Sequence, residues 1–267
     1  MISDAAPLKG VVVLVTRPAA QAGTLCELIE LQGGTAFRFP VLEIVEPADP
    51  QAVARFSKRL DTFDWAFFVS ANAVNMALPV ILEKCSWPES VRIAVIGKRS
   101  AEELQRFGLV ADLLPQRRFD SEGLLALPPM QQVNGQCCVI FRGGGGRDLL
   151  ANTLRERGAR VEYVEAYRRI RPRVDSGTVL AQWHAGGINI VLVNSVESLK
   201  NLAEMLGSAG KSLLLATPLL VVSERLAAAA RQLGFEKPPL VADSATDTAV
   251  LEALLAWRLK ANLSELP

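Results

Sequence analysis

The chain has 267 residues, 50% hydrophobic and 21% charged, with a formal net charge of +1. That is enough material for two domains with full cores, and too neutral for the concentrated basic face that non-specific nucleic-acid binding needs. Membrane residence is excluded on the same reading: the longest apolar run, Leu213 to Val222, is too short for a bilayer and holds Thr217 and Pro218, and the first ten residues carry Asp4 and no signal-like stretch, so a cytoplasmic protein is expected.

Val11 to Val15 is a run of branched apolar residues, as in a strand buried on both faces. Thr16-Arg17-Pro18 ends it. Ala19 to Leu31 then carries Leu25, Leu28 and Ile29 at helical spacing, and Gly33-Gly34 stops the helix. Phe37 to Val45 alternates loosely around Pro40 and suits an edge strand or connector. A short helix covers 51–60. Trp65 to Val69 is a buried strand, followed by Ser70-Ala71-Asn72 and a helix to about Leu82. Ile93 to Ile96 is a third strand, with Gly97-Lys98-Arg99-Ser100 and a helix ending at Gly108. Val110 to Leu114 reads as a short fourth strand, and Asp120-Ser121 caps a helix from Glu122.

The pattern then restarts. Val139 to Phe141 is a strand, Arg142 to Gly146 a turn, Leu149 to Arg157 a helix stopped by Gly158, and Val161 to Ile170 an extended exit. A helix over about Thr178 to Trp183 follows. Ile188 to Val193 is a strand, ending in Asn194-Ser195 and a helix to Leu206. Leu219 to Val222 leads through Ser223-Glu224-Arg225 into an Ala-rich helix ending at Gly234. Leu240 to Ala242 is a strand, and the helix over 244–258 is capped by its own Ser or Thr. At a period of about 125 residues Arg17 falls on Arg142, Gly33 on Gly158, Ser70 on Asn194, Gly97 on Ser223 and Arg99 on Arg225. Repeats of this length are whole domains.

Strands alternating with helices predict parallel sheets covered on both faces, with every strand-to-helix turn at one edge of its sheet. Ligands of open parallel sheets bind outside that edge. The residues collected there are Thr16, Arg17, Ser70, Asn72, Ser100, Arg142, Asn194, Ser195, Ser223 and Arg225. Hydroxyls, amides, arginines and helix N-termini suit an anion. Each Ser or Asn taken singly also reads as an N-cap.

Other chemistries find less support. Cys26, Cys85, Cys137 and Cys138 lack CxxC spacing and read as reduced, buried thiols. The single histidine, His184, has no second ligand nearby, which speaks against a metal. Arg142-Gly-Gly-Gly-Gly-Arg147 lacks the Lys-Ser/Thr of a Walker loop and the spacing of GxGxxG, and no ribose-binding acid follows the first turn. The glycines instead expose backbone N–H groups to carboxylates. The chain has two tyrosines, Tyr163 and Tyr167, and strand alternation places them on one face.

Val13-Leu-Val-Thr-Arg-Pro18, Phe68-Val-Ser-Ala-Asn-Ala-Val74, Ala94-Val-Ile-Gly97, Ser121-Glu-Gly-Leu-Leu125, Phe141-Arg-Gly143, Gly158-Ala159 with Tyr163 and Tyr167, and Val221-Val-Ser-Glu-Arg-Leu-Ala227 occur in an order that resembles the uroporphyrinogen-III synthase (HemD) family. The resemblance spans about residues 8–258. It implies two flavodoxin-like α/β domains facing a cleft and joined by a two-stranded antiparallel connector. Domain 1 is then 1–36 with 172–267, the connectors 37–45 and 164–171, and domain 2 46–163. It implies an enzyme, a lyase without metal or organic cofactor. The enzyme closes linear hydroxymethylbilane to uroporphyrinogen III, with loss of water and inversion of ring D through a spiro intermediate. The substrate is a polycarboxylate, and a monomer suffices.

By the same resemblance Tyr167 matches the tyrosine proposed to assist departure of the hydroxyl, and a phenol is protonated at neutral pH. Gly143 joins the substrate-binding set through the Phe141-Arg-Gly motif. Ser100 stands where many members have threonine in a Gly-x-x-Thr-Ala turn, while Leu226, its mate in the second half, carries no hydroxyl. Ser223-Glu224-Arg225 replaces Gly-Pro-Thr, with Arg225 as a substitute anion contact. The competing expectation is a non-catalytic two-domain binding protein for a small polyanion.

Overall fold

The computed structural model describes residues 6–264; the first five residues, on which part of the signal-peptide reading rests, lie outside them. The described chain divides into two compact units, one formed by the residues up to Glu43 together with those from Ile170 on, the other by Ile44–Arg169. The first unit opens with β1 (Val12–Val15), α1 (Ala19–Leu31) and β2 (Thr35–Arg38). Next come β3 (Glu43–Val45), α2 (Ala52–Ser57), β4 (Trp65–Phe68), α3 (Ala71–Lys84), β5 (Arg92–Val95), α4 (Lys98–Arg106), α5 (Ser121–Leu125) and α6 (Pro128–Gln131). The second unit closes with β6 (Cys137–Gly143), α7 (Leu149–Glu156) and β7 (Arg160–Ile170). The first unit resumes with α8 (Gly177–His184), β8 (Ile190–Val193), α9 (Val196–Ala216), β9 (Leu219–Val221), α10 (Glu224–Leu233), β10 (Leu240–Val241) and α11 (Asp247–Ser264).

The fold is mixed α/β with parallel sheets, as the alternating pattern predicts. In the first unit the strand order is β10-β9-β8-β1-β2, with parallel pairing throughout. Numbered along that unit's own chain this is the flavodoxin-like order 2-1-3-4-5. The second sheet runs β3-β7-β6-β4-β5, and its β7-β6-β4-β5 portion repeats β2-β1-β8-β9 of the first. A duplicated unit explains this correspondence. Gly33 and Gly158, one period apart, both stop their helices with a left-handed φ, +80° and +87°, where a side chain would be strained.

Both faces of each sheet are covered, which is why the strands read as continuous apolar runs. In the first unit Val13, Val15, Ile190 and Leu192 pack under α1 and α11, while Leu14, Val191 and Val193 pack under α9 and α10. In the second, Phe68, Val139 and Phe141 face α3, while Phe67, Cys138 and Ile140 face α7. The helix after β4 thus lies on one face and the helix after β6 on the other. The same holds for β8 and β1. Each neighbouring pair of strands is a topological switch point, where the carboxyl edge opens into a crevice.

Four expectations change. Val110–Leu114 forms only an isolated bridge from Leu113 to Ala94. The run from Phe37 to Val45 splits at Pro40 into the ends of two strands, β2 in one sheet and β3 in the other. Helix α9 continues beyond Leu206 to Ala216, across a non-helical Gly207 (φ 59°, ψ −158°). Ser70 matches Ser195 rather than Asn194, since both are N-caps accepting a backbone N–H three residues on.

Candidate active site

The second unit's switch point lies between the ends of β4 and β6. Ser70 follows β4 and caps α3; its Oγ accepts the Ala73 N–H at 3.1 Å. Gly143 ends β6. Tyr167 comes from β7, whose pairing with β6 slips between Arg142 and Gly143, so that Arg142 faces Glu165 but Gly143 faces Tyr167. This bulge reverses the side-chain alternation. Tyr163 therefore stays on the α7 side at 37% exposure, while Tyr167 turns into the opposite core at 1%. The expectation that the two tyrosines share a face fails for this reason.

Gly143 makes room for the tyrosine. A Cβ at Gly143 would lie 2.7 Å from two carbons of the Tyr167 ring, and Gly144 N–H donates to the Tyr167 carbonyl at 2.9 Å. The phenol oxygen lies 3.0 Å from Ser70 Oγ and accepts from Arg169 Nη2 at 3.1 Å. In the same core Phe68 and Phe141 stack at 4.8 Å, a contact worth about 1 kcal/mol beyond area burial.

The first unit fills the equivalent place differently. Thr16, 1% exposed, donates its hydroxyl to the Leu192 carbonyl at 2.7 Å. Arg17 is 5% exposed and forms an ion pair with Asp247. A guanidinium can only donate, so the Asn194 amide turns its oxygen to Arg17 Nε, and Arg17 Nη2 reaches the Ala245 carbonyl at 3.4 Å. Ser195 and Ser223 are N-caps, accepting from Ser198 N and Leu226 N. Arg225 is exposed.

The glycine turn after β6 forms a shallow pocket of about 310 Å³ lined by Arg142, Gly143 to Gly146, Asp148, Tyr163 and Glu165. Arg142 pairs with Asp148 at 2.8 Å, bonds the Gly145 carbonyl and lies over the Tyr163 ring. Asp148 also accepts from Tyr163 at 3.0 Å. The hydrogen bond from Arg142, then that from Tyr163, hold the Asp148 carboxyl below its ordinary pKa; burial, then Asp148, push the Tyr163 phenol up. Two carboxylates line this turn, Asp148 and Glu165, and neither figures among the expected anion contacts. Ser100 lies buried in α4, and Asn72 is half-buried in the first turn of α3.

A family model described as uroporphyrinogen-III synthase HemD matches residues 23–252. The uroporphyrinogen-III synthases of Salmonella typhimurium (strain LT2) and Escherichia coli (strain K12) are each 35% identical over 244 residues, 91% of this chain and 99% of theirs. The chain belongs to the uroporphyrinogen-III synthase family. Among solved structures, a mutant uroporphyrinogen III synthase from the extremely thermophilic bacterium Thermus thermophilus aligns with a TM-score of 0.64 at 20% identity, covering 94% of this chain and 99% of that one. The uroporphyrinogen-III synthetase of Helicobacter pylori 26695 aligns at 0.56 and 13%, covering 92% and 99%. These two likenesses concern the fold.

Within this family member the structure brings Ser70, Gly143 and Tyr167 together and keeps Arg142 at the neighbouring turn. Arg169 is absent from the residues expected at the site. Its signal is the strand period, since Arg169 is two residues beyond Tyr167. His184 bonds the Leu180 carbonyl at the end of α8. Cys26 and Cys138 are buried, and burial pushes the Cys138 thiol up to about 12, where thiolate chemistry is suppressed. Among the described residues no helix is long and apolar enough to cross a membrane.

Proposed function

We propose that this chain is a uroporphyrinogen-III synthase, closing hydroxymethylbilane to uroporphyrinogen III with loss of water and inversion of ring D. The observation that carries this reading is similarity at 35% identity along nearly the whole length of synthases from two organisms. The pyrrole nitrogens of the bilane drive out the hydroxyl once it receives a proton, leaving a delocalised cation. Unassisted closure joins the free end of ring D directly. The inverted product requires attack through the substituted carbon, a spiro intermediate, fragmentation and reclosure. Such a reaction needs orientation and weak acid assistance more than a strong nucleophile.

The cluster of Tyr167, Ser70 and Arg169 supplies proton donors at a sheet's carboxyl edge. Ser70 caps helix α3, whose N-terminus favours a carboxylate of the substrate. On this reading Ser70, Asn72 and Gly143 contact the substrate directly. Arg17 and Thr16 hold the first unit's edge in shape. The enzyme works as a monomer in the cytoplasm.

The test is to supply purified protein with freshly prepared hydroxymethylbilane and separate the product isomers. Uroporphyrinogen III in excess of the spontaneous type I isomer is expected. Type I product alone overturns the proposal and leaves a binding protein.

A further inference from the structure

We infer that Ser70, not Tyr167, delivers the proton to the leaving hydroxyl, and that Tyr167 recharges Ser70 while Arg169 holds the phenol oxygen. The inference rests on the synthase reading. It follows from assigning every hydrogen in the cluster. An arginine has no acceptor, so Tyr167 Oη accepts from Arg169 Nη2 at 3.1 Å. The phenol is 1% exposed, and a buried hydroxyl finds a partner for its own hydrogen. Ser70 Oγ at 3.0 Å is that acceptor among the described residues.

Ser70 Oγ already accepts the Ala73 N–H at 3.1 Å. A serine oxygen has two acceptor positions and one hydrogen. Both acceptor positions are now filled, by Ala73 and by Tyr167. The serine hydrogen is left to point away from the cluster, and Ser70 is the half-buried member of the pair. The phenol is sealed under Gly143, so its proton leaves the core through Ser70.

The proton balance closes. Ser70 Oγ–H protonates the hydroxymethyl oxygen as the carbon–oxygen bond breaks, its electron pair leaving with water. The phenolic proton moves to Ser70 Oγ. The phenolate is held by the Arg169 hydrogen bond, and the positive end of α3 favours negative charge on Ser70 Oγ during the transfer. At the final closure the ring carbon that forms the new bond loses its hydrogen as a proton. That proton returns through Ser70 to Tyr167. One proton is lent and one restored, with water the only other product.

The experiment measures the rate of uroporphyrinogen III formation and the III-to-I ratio for wild type, Ser70→Ala, Ser70→Thr, Tyr167→Phe and the Ser70→Ala/Tyr167→Phe double variant, with the thermal midpoint of each. A shared relay is expected to cost each single variant about 100-fold or more. The double variant is then no slower than the slower single within about threefold, because residues acting as a unit are not additive. Ser70→Thr, which keeps both hydroxyl and cap, restores most of the rate. Should Ser70→Ala lose its fold with its cap, Ser70→Asn decides, since asparagine caps a helix as well as serine but carries no hydroxyl. Wild-type rates in whichever hydroxyl-less variant folds overturn the relay and leave the synthase intact. So do single effects that multiply in the double variant. Type I product alone from the wild type removes the relay together with the function.

Discussion

The crevice between β1 and β8 and the crevice between β6 and β4 occupy the same place in two copies of one sheet. In the first unit the buried polar side chains Thr16 and Arg17 are tied inward: Thr16 to a neighbouring strand, Arg17 to Asn194 and to Asp247 at the start of α11. In the second unit a neutral chain of hydroxyls runs from a buried tyrosine to a half-buried serine, with an exposed arginine behind it. The arginine of the first unit acts as a latch, because a buried charge deprived of its partner is costly. A chain of neutral hydroxyls carries little such penalty and shifts its protons readily. Changes at the first crevice should therefore register in stability, and changes at the second in rate.

The largest expected effect is kinetic. Tyr167→Phe should lower the rate of type III product by about 10²–10⁴-fold while moving the thermal midpoint by only a few degrees; unchanged rates would erase the contrast. Asp247→Asn probes the other side. It removes the countercharge of the Arg17 guanidinium, leaving it only the neutral Asn194 and Ala245 oxygens, and is expected to cost about 3 kcal/mol in urea unfolding, with kcat little altered. Gly143→Val should couple the two readouts, since its Cβ meets the Tyr167 ring: a stability loss of about 1–3 kcal/mol from overpacking, accompanied by a fall in rate. A Gly143 variant that loses stability but keeps the wild-type rate would show that the ring's seat is not needed for chemistry.

The smallest expected effect is at the glycine turn. The Asp148 carboxyl is held below its ordinary value by Arg142 and Tyr163. A depressed folded pKa contributes stability above the unfolded value, near 4, and that contribution is lost as pH falls through the folded value. The stability difference between wild type and Asp148→Asn should accordingly be present at neutral pH and vanish in acid. Because the pair is exposed, it should remain small throughout.

The two sheets were legible because their strands are short apolar runs bounded by Gly, Pro and Ser, and because Gly33 and Gly158 recur at one period. Ser70 and Gly143 were legible because they lie at strand ends, whereas Tyr167, inside β7, was carried by the family resemblance. Their connections were not. Simple alternation sets Tyr163 and Tyr167 on one face, and only the slip at Gly143 separates them. The partner of Arg17 lies 230 residues away at Asp247, beyond any local pattern. Gly207 reads as a helix stop, yet tertiary packing of Leu214 carries the helical path past it. The fourth strand of the second unit fails because Val110 is 73% exposed and Leu113 alone makes a bridge.

Strand β1 pairs with β8, Val13 meeting Ile190 across the whole intervening unit. During synthesis the ribosome releases β1 long before its partner exists. Residues 44–169 form a compact unit of their own, and its first and last strands, β3 and β7, are neighbours in its sheet. Once that unit has folded, the two ends of the nascent chain that must later meet are already drawn together. The entropy of closing so long a loop is then met by an independent folding event. The order of emergence makes the inserted unit a clamp for the assembly of the one that surrounds it.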